Sequence, residues 1–446
     1  MNFATLKGLT IPQGAVKQIT DSSGRILWSA SKPIVLTVEK VTATTYAGET
    51  TYNDEQFILL EIYPKTNGTV KVTYGGLTKT ITDTSGVESP NGQKVYFGTF
   101  NGVSDSVATP SSGTLTIDGD CDSFACGSYS SGSKSYNIGY CSCITGVQEF
   151  GEITKIASYA FRDCTKLALT SLPSGITSIG SYAFYGCPNI TLTSLPSGIT
   201  SIGSYAFYEC STLTSLPSGI TSIGDSAFRG CESLTQVTLQ CDLSTCGTCI
   251  FEGCISLTDV YILSNCTTIK GYTFSGCSAL RNVTISSSIK TIEEYAFEYC
   301  RMLDPTTVLS QAKITSIGDY AFYGCAEKRE DITHIRIPNS VTTIGAKAFN
   351  STFWKDTWSG DDLYTITIGS GIKSIGEGAF NNFNDNTDVV ILATTPPSIV
   401  EASTFGEDKY DMLFGYVERI IVPKGYGATY KSAAGWSYYA NYIVEA

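Results

Sequence analysis

The chain has 446 residues, a formal net charge of −12, 42% hydrophobic residues and only 16% charged residues. This length and hydrophobic content predict two or three domains with a sizeable core. The acidic balance, without a run of Lys or Arg, argues against nucleic-acid partners, and no apolar stretch is long enough for membrane insertion.

The first 30 residues predict a β-hairpin arm, with strands over 15–20 and 25–28 around the turn at 21–24. The motifs L-K-G-L-T-I-P, Q-I-T-D and G-R-I-L-W in this segment resemble the leader of minor structural proteins of bacteriophages and prophages. The resemblance implies attachment to other virion structural proteins. From the residues alone, a β-arm packed on the next domain is the alternative. No secretory signal is visible at the N-terminus.

Residues 31–148 predict an immunoglobulin-like β-sandwich that acts as a spacer or docking module. The Cys…Trp…Cys signature of antibody-type domains is absent. Residues 120–145 are rich in Ser, Gly and Tyr and predict a loop that caps the following domain. The sandwich prediction rests on six alternating runs, at 34–38, 57–63, 69–74, 78–82, 94–100 and 114–117.

From residue 149 onward a phenylalanine recurs in steps of 23, 23, 21, 23, 23, 23, 25, 27, 31 and 25 residues. A period in the low twenties predicts a solenoid, in which each rung buries its apolar face against the next. Aliphatic residues five and eight positions before each phenylalanine should face inward, and the A-F-x-x-C segment should form one helical or 3₁₀ turn. The marker positions are Phe161, Phe184, Phe207, Phe228, Phe251, Phe274, Phe297, Phe322, Phe349, Phe380 and Phe405.

The motif I-T-S-I-G-x-x-A-F-x-x-C stands in near-complete form at 176–187, 199–210, 220–231 and 314–325. It resembles the BspA-type leucine-rich-repeat family, and the segment 417–446 resembles that family's closing unit. The resemblance implies a mainly β chain with a leucine-rich-repeat solenoid of about eleven rungs over 149–416 and a C-terminal cap over 417–446. The motif indicates a fold rather than a function.

The first candidate ligand surface is the exposed face of the solenoid strands. Short segments such as 237–239 and 335–337 alternate apolar and polar residues, so the residues between the inward positions should face solvent. A continuous polar sheet is a common binding surface of solenoids; a merely solvated sheet is the alternative. The candidate residues are Gln236, Thr238, Asp259, Tyr261, Asn282, Thr284, His334, Arg336, Thr365 and Thr367.

The second candidate is an aromatic insertion at 350–362, which contains Phe353, Trp354 and Trp358. Aromatic side chains on a loop could stack on sugars or anchor a protein partner. The alternative is that they cover the widened rung.

Eight of the sixteen cysteines follow the marker phenylalanine by three residues, which predicts a buried column of reduced thiols. Cys241, Cys246 and Cys249 are spaced like part of a metal or redox site, but Cys246 occupies a core position of the repeat. The segment 118–122 lacks the later ligands of a calcium loop. We therefore expect no metal, no cofactor and no catalytic residues.

The resulting prediction is a non-enzymatic bacteriophage virion protein, tail- or head-associated, whose solenoid binds a host cell-surface protein or glycan. A bacterial cell-surface adhesin that binds host glycoprotein or matrix is the alternative, which would move the location from the virion to the bacterial surface. A glycan-cleaving enzyme is the third hypothesis, because paired carboxylates could converge from different rungs. Homo-oligomerisation is left open.

Overall fold

The computed structural model describes residues 18–20, 26–29, 34–38, 57–64, 69–74, 77–82, 93–100, 103–104, 113–119, 121–126, 129–131, 134–136, 144–151, 153–328, 331–352, 363–381, 387–399, 402–405 and 417–446. The chain divides into two compact units, Met1–Phe124 with Cys143–Ile153, and Ala125–Ser142 with Thr154–Ala446. In the described part of the chain, no helix has the length and apolar character that a membrane span requires.

The chain up to residue 150 forms short β-strands wherever apolar and polar residues alternate. The described strands are β1 (Gln18–Thr20), β2 (Ile26–Ser29), β3 (Ile34–Val38), β4 (Phe57–Pro64), β5 (Thr69–Tyr74), β6 (Leu77–Thr82), β7 (Gln93–Phe100), β8 (Val103–Ser104), β9 (Gly113–Gly119), β10 (Cys121–Cys126), β11 (Tyr129–Ser131), β12 (Lys134–Tyr136) and β13 (Ile144–Phe150).

These strands form hairpins and two larger sheets. The predicted N-terminal hairpin is present as the antiparallel pair β1–β2. One sheet has the order β13-β3-β9-β5-β6 and the other the order β10-β4-β7-β8. All six strands predicted between residues 31 and 148 are confirmed within two residues at each end. Their assembly as an immunoglobulin-like sandwich stays a prediction.

The prediction of a loop over 120–145 is wrong. This segment contains β10 and the antiparallel hairpin β11–β12. The strand that follows, β13, pairs with β3 and so extends the first unit beyond residue 148. The high Ser and Gly content concealed short alternating runs such as Cys121–Cys126, which pair with strands distant in sequence.

The second unit is built from many two- to six-residue strands. Its elements are β14 (Lys155–Ile156), β15 (Ser178–Ile179), β16 (Ser201–Ile202), β17 (Ser222–Ile223), β18 (Gln236–Leu239), β19 (Asp259–Ile262), β20 (Thr268–Ile269), β21 (Asn282–Thr284), β22 (Thr291–Ile292), α1 (Pro305–Leu309), β23 (Ser316–Ile317), β24 (His334–Ile337), β25 (Thr343–Ile344), β26 (Tyr364–Ile368), β27 (Ser374–Ile375), β28 (Thr387–Ile391), β29 (Ser398–Ile399), a 3₁₀ helix (Ala402–Phe405), β30 (Val417–Val422), α2 (Gly427–Ser432), a second 3₁₀ helix (Trp436–Tyr439) and β31 (Ile443–Glu445).

These strands stack in parallel, one rung on the next, as a solenoid requires. The two-residue strands form the sheets β14-β15-β16-β17 and β20-β22-β23-β25-β27-β29, and the longer strands form β18-β19-β21 and β24-β26-β28-β30-β31. The inward positions of the repeat are buried as predicted; Ile176 and Ile269, for example, are fully buried. Leu216, which lies twelve positions before Phe228, is only half-buried.

The phenylalanines form one continuous file through the centre of the solenoid. Consecutive rings from Phe161 to Phe405 are stacked, with centroids 5.3–5.8 Å apart and planes within 16° of parallel. Each ring is at most 1% exposed. Burial of such a side chain contributes about 1.5–3 kcal/mol, and each stacked pair adds about 0.5–1.5 kcal/mol. The predicted solenoid is therefore confirmed at its core.

The A-F-x-x-C segment is not the helical turn that the sequence predicts. The residues two before and two after the phenylalanine have positive φ, for instance 58° at Tyr182 and 69° at Gly186. This backbone directs amides towards the next rung, so Tyr182 N donates to Ser204 O at 2.8 Å and Phe184 N to Ala206 O at 3.0 Å. Hydrogen bonds between rungs thus offset a conformation that is costly for tyrosine.

Two further positions of the repeat, a glycine and a cysteine, hold neighbouring rungs together. The glycine of S-I-G, such as Gly203, lies against the preceding rung so closely that a Cβ atom would overlap its backbone. In six rungs the thiol three residues after the phenylalanine donates to the phenylalanine carbonyl of the preceding rung, as Cys277 does to Phe251 O at 3.2 Å. In the described part of the chain the cysteines from Cys164 to Cys325 form no disulfide, and the eight at this repeat position are buried, as the predicted thiol column requires.

The C-terminal residues close the end of the phenylalanine file. Phe405 contacts the rings of Trp436 and Tyr439, and Tyr430 packs edge-on against Trp436. The polar atoms of these large side chains are satisfied: Trp436 Nε1 donates to Pro397 O and the Tyr430 hydroxyl to Ala393 O, both at 2.8 Å. The last rung therefore presents a packed cap instead of an open apolar core.

Candidate functional site

The predicted strand-face residues lie in register on two parallel sheets. In the first sheet, Gln236, Asp259 and Asn282 are partners across β18, β19 and β21. The next row on the same sheet consists of Thr238, Tyr261 and Thr284.

In the second sheet, His334 pairs with Thr365 and Arg336 with Thr367 across β24 and β26. All ten candidates are exposed or partly exposed, while the residues between them, such as Val260 and Ile335, are fully buried.

The two groups do not form the single continuous sheet that the sequence predicts. Helix α1 occupies the strand position of the rung between β21 and β24. Asp304 caps this helix by accepting from Thr306 N at 2.8 Å, and Pro305 follows at the first helical position. Aspartate at the N-cap and proline at N1 both favour a helix start.

Side chains of the helical rung replace the missing strand. Gln311 Nε2 donates to Val283 O at 2.7 Å, and Gln311 Oε1 accepts from Ile285 N at 2.9 Å. On the other side, Thr306 Oγ1 accepts from Arg336 N at 3.1 Å. These three hydrogen bonds satisfy part of each facing sheet edge, and helix α1 divides the strand face into a first and a second polar field.

In the first field, Asp259 is held by two neighbours. Its carboxylate accepts from the Asn282 amide at 2.8 Å and from the Thr258 hydroxyl at 2.6 Å. These hydrogen bonds, that from Thr258 first, lower the pKa of Asp259. The field therefore presents a fixed negative charge among neutral hydrogen-bonding groups.

The second field is more cationic and extends further than the sequence predicts. His334 Nε2 lies 3.2 Å from Thr367 Oγ1. The row that begins with His334 and Thr365 continues through Asp388 on β28 to Arg419 on β30. Arg419 Nε donates to Asp388 Oδ1 at 3.0 Å, and its Nη2 donates to the other carboxylate oxygen.

Asp388 is only 4% exposed, so Arg419 covers its carboxylate while its own side chain remains half-exposed. Sequence reasoning missed this pair because the two residues are 31 positions apart and meet only through strand register. A charge in the β28 segment T-D-V-V-I, at a position aligned with the candidate row, is the signal that could have found it.

The other sequence-derived candidates fall into two groups. Phe353, Trp354 and Trp358 lie outside the described residues, so the aromatic insertion stays a prediction. In the cysteine cluster, Cys246 is buried in the aliphatic position of its rung and Cys249 takes the place of a turn tyrosine. Within the described ranges, no group of His, Cys, Asp or Glu side chains is arranged to hold a metal ion.

One set of exposed residues was not predicted. Tyrosines recur two residues before the phenylalanine, at Tyr159, Tyr182 and Tyr205, and again at Tyr272, Tyr295 and Tyr320. Within each group the rings stack on one another along the edge of the solenoid where the turns around the phenylalanines lie, which we call the turn edge. Their recurrence at one repeat position was visible in the sequence.

Parallel rungs, a repeat of about two dozen residues and a file of buried phenylalanines define a leucine-rich-repeat type of solenoid. The model of the BspA type leucine rich repeat region matches residues 134–216, 214–329 and 327–405, in six copies. The matched residues span more than half of the chain, and the chain therefore belongs to the BspA-type leucine-rich-repeat family.

Solved structures of leucine-rich-repeat proteins are similar over part of the chain. A protein from Bacteroides ovatus is 20% identical over 67% of this chain and 83% of its own, with a TM-score of 0.41. A leucine rich cell surface protein from Faecalibacterium prausnitzii is 20% identical over 72% and 94%, with a TM-score of 0.36. The leucine-rich-repeat protein of T. pallidum is 29% identical over 41% and 82%, with a TM-score of 0.32. A comparison with curated proteins finds no match.

Proposed function

We propose that this chain is a non-enzymatic adhesive protein whose solenoid binds a ligand on the surface of another cell through its strand face. The observation that supports this proposal is the pre-organised polar surface on both sheets. Asp259 is fixed by Asn282, and His334 by Thr367, so these groups lose little side-chain freedom when a ligand binds. Repeat folds commonly bind through such extended faces.

The test is binding of the full chain to immobilised fibronectin, laminin and mucin, and in parallel to purified cell walls of Gram-positive gut bacteria. We expect measurable binding to at least one probe. The double variant His334→Ala/Arg336→Ala should weaken it about tenfold or more, because it removes hydrogen-bonding and charged groups that no core contact needs.

A matched control is Lys290→Ala, which removes an exposed charge beside the two-residue strand β22 and should leave binding unchanged. The double variant Gln236→Ala/Asn282→Ala measures the first field in the same assay. Absence of binding to every probe, or equal binding by native and all strand-face variants, would contradict the proposal.

A second proposal, favoured by the N-terminal hairpin β1–β2 and the leader-like motifs around it, is that the chain is part of a bacteriophage virion. The hairpin would attach the chain to other virion proteins and leave the solenoid to contact the host. A tag at Ala446, visualised by electron microscopy of purified particles, should then label the particle. Label confined to the bacterial envelope would support a cell-surface adhesin instead.

A further inference from the structure

The turn edge of the first three rungs carries two connected files of tyrosine rings. Tyr159, Tyr182 and Tyr205 stack with centroids 5.2 and 4.9 Å apart, and Tyr185 lies 5.1 Å from Tyr208. The files touch each other, since Tyr182 meets Tyr185 at 5.6 Å. We call these five residues the tyrosine edge.

Stacking determines what the tyrosine edge presents to solvent. The rings of Tyr159, Tyr182 and Tyr205 are within 10° of parallel, so both faces of the middle ring are covered by its neighbours. What remains exposed is a row of ring edges and phenol hydroxyls, one for each rung. A flat aromatic platform for a single sugar is therefore absent, and a repeating line of hydrogen-bonding groups takes its place.

The central hydroxyls of this row have no partner within the described residues. No described hydrogen bond reaches the hydroxyl of Tyr182, Tyr185 or Tyr205, and all three side chains are partly exposed. The rings are nevertheless fixed, because Tyr182 N and Tyr205 N each donate to the next rung at 2.8 Å. A rigid row of free hydroxyls is suited to binding because little conformational entropy is lost.

The charges around the tyrosine edge are locally neutralised. The Arg162 guanidinium carbon lies 5.3–5.6 Å from the ring centroids of Tyr159, Tyr182 and Tyr185, and Arg162 Nε is 3.2 Å from an Asp163 carboxylate oxygen. At the other end, Arg229 lies over Tyr208 and pairs with Glu252 at 3.1 Å. Because each guanidinium already has a carboxylate, the edge does not select for an anionic ligand.

We propose that the tyrosine edge binds an extended, uncharged β-linked glycan whose axis runs along the solenoid. In such a chain the spacing between consecutive sugars is about the length of one pyranose ring. This length is close to the 4.9–5.2 Å between the ring centroids of tyrosines in neighbouring rungs. Each rung can thus offer a hydroxyl to one sugar. An extended peptide repeats about every 6.6 Å on one face, so it falls out of register over three rungs. This surface is separate from the strand face and adds to the function proposed above.

The experiment is isothermal titration calorimetry of the full chain with cellohexaose and chitohexaose, and with the corresponding disaccharides. We expect at least one hexasaccharide to bind, about tenfold or more tightly than its disaccharide, since several rungs must contribute. The variant Tyr182→Phe/Tyr185→Phe/Tyr205→Phe keeps the rings and removes three hydroxyls, and should lower the affinity roughly tenfold or more.

The control is Tyr426→Phe, which removes the hydroxyl of a tyrosine that is 38% exposed outside the tyrosine edge and should bind like the native chain. Near-ultraviolet circular dichroism of the triple variant checks that the stack persists. No binding of either hexasaccharide, or equal binding by the Tyr182 triple variant, would overturn the proposal.

Loss of hexasaccharide binding through His334→Ala/Arg336→Ala alone would assign the glycan to the strand face, which leaves the adhesive function intact and refutes the tyrosine edge. A tyrosine edge that captures a protein and no oligosaccharide would also refute the glycan assignment.

Discussion

Replacement of Phe274 by alanine in the middle of the phenylalanine file should open the solenoid locally. The ring is fully buried and stacks on Phe251 at 5.7 Å and on Phe297 at 5.5 Å. Truncation of a buried phenylalanine costs about 3–5 kcal/mol, through lost burial and the cavity that remains. Phe274→Leu keeps most of the apolar volume, so it should cost mainly the two stacked contacts, about 1–3 kcal/mol.

The suitable assay is native-state hydrogen exchange followed on peptides. Solenoids unfold in segments, and a single unfolding free energy is not well defined for them. We expect faster exchange of amides in the rungs of Phe251, Phe274 and Phe297, with the N-terminal strands unchanged. Ile255→Ala, at a side chain 47% exposed on a neighbouring rung, is the control and should alter exchange by less than about 0.5 kcal/mol.

The reasoning would be refuted if Phe274→Ala lowered the opening free energy of these rungs by less than about 1 kcal/mol. The reasoning would also be refuted if Phe274→Leu and Phe274→Ala were equally destabilising. In that case the loss of ring stacking would explain the whole effect, and the loss of buried volume would contribute nothing.

Three further substitutions or conditions probe the contacts between rungs. Gly203→Ala forces a Cβ atom into the backbone of the preceding rung and should lower the opening free energy of its rung by about 1–3 kcal/mol in native-state hydrogen exchange, whereas Gly175→Ala, with no atom within 4 Å, should be neutral or slightly stabilising. Raising the pH from about 9 to 12 should lower the urea midpoint, because burial raises the pKa of the Cys254 thiol to about 12 while an unfolded thiol ionises near 8.5. The stabilisation is therefore complete below the unfolded pKa and lost as the pH rises to the folded one, and Cys254→Ala should make the decline shallower. Arg419→Leu should lower the opening free energy of the C-terminal rungs by about 1.5–3 kcal/mol in native-state hydrogen exchange, because it leaves the buried Asp388 carboxylate unpaired, and the added change Asp388→Val should recover much of the loss.

The core of the solenoid could be predicted because the same physical demand recurs in every rung. A residue such as Phe228 must fill the same space between the rungs above and below, so burial selects one side-chain type at a fixed interval. The alternation in segments like Asp259–Ile262 identified the longer strands for the same reason. Both signals are local and periodic, and both were confirmed.

The conformation of the turn could not be predicted from local preference. Tyrosine rarely adopts positive φ, yet Tyr205 has φ 57° because its amide then reaches Asp225 O at 2.8 Å on the next rung. The stabilising partner is 20 residues away and exists only after the rungs have stacked. A sequence window centred on S-Y-A-F contains no sign of it, and so it predicted a helical turn.

The break in the strand face, by contrast, was open to prediction. The rung between Phe297 and Phe322 has no V-x-I segment and carries Asp304-Pro305 in its place. These two residues start a helix for reasons independent of the repeat. The periodic pattern led us to expect one continuous polar sheet, whereas the local signal for α1 interrupts it.

In a solenoid the information about binding lies in departures from the repeat, because every regular position is already explained by stacking. The turn position of Tyr205 is occupied by Ser226 and Cys249 in the next two rungs, which ends the first tyrosine file. Helix α1 likewise separates a strand field centred on Asp259 from one that contains Arg336. The solenoid therefore has bounded surfaces of a few rungs each, and a ligand should protect amides in three or four adjacent rungs rather than along the whole column.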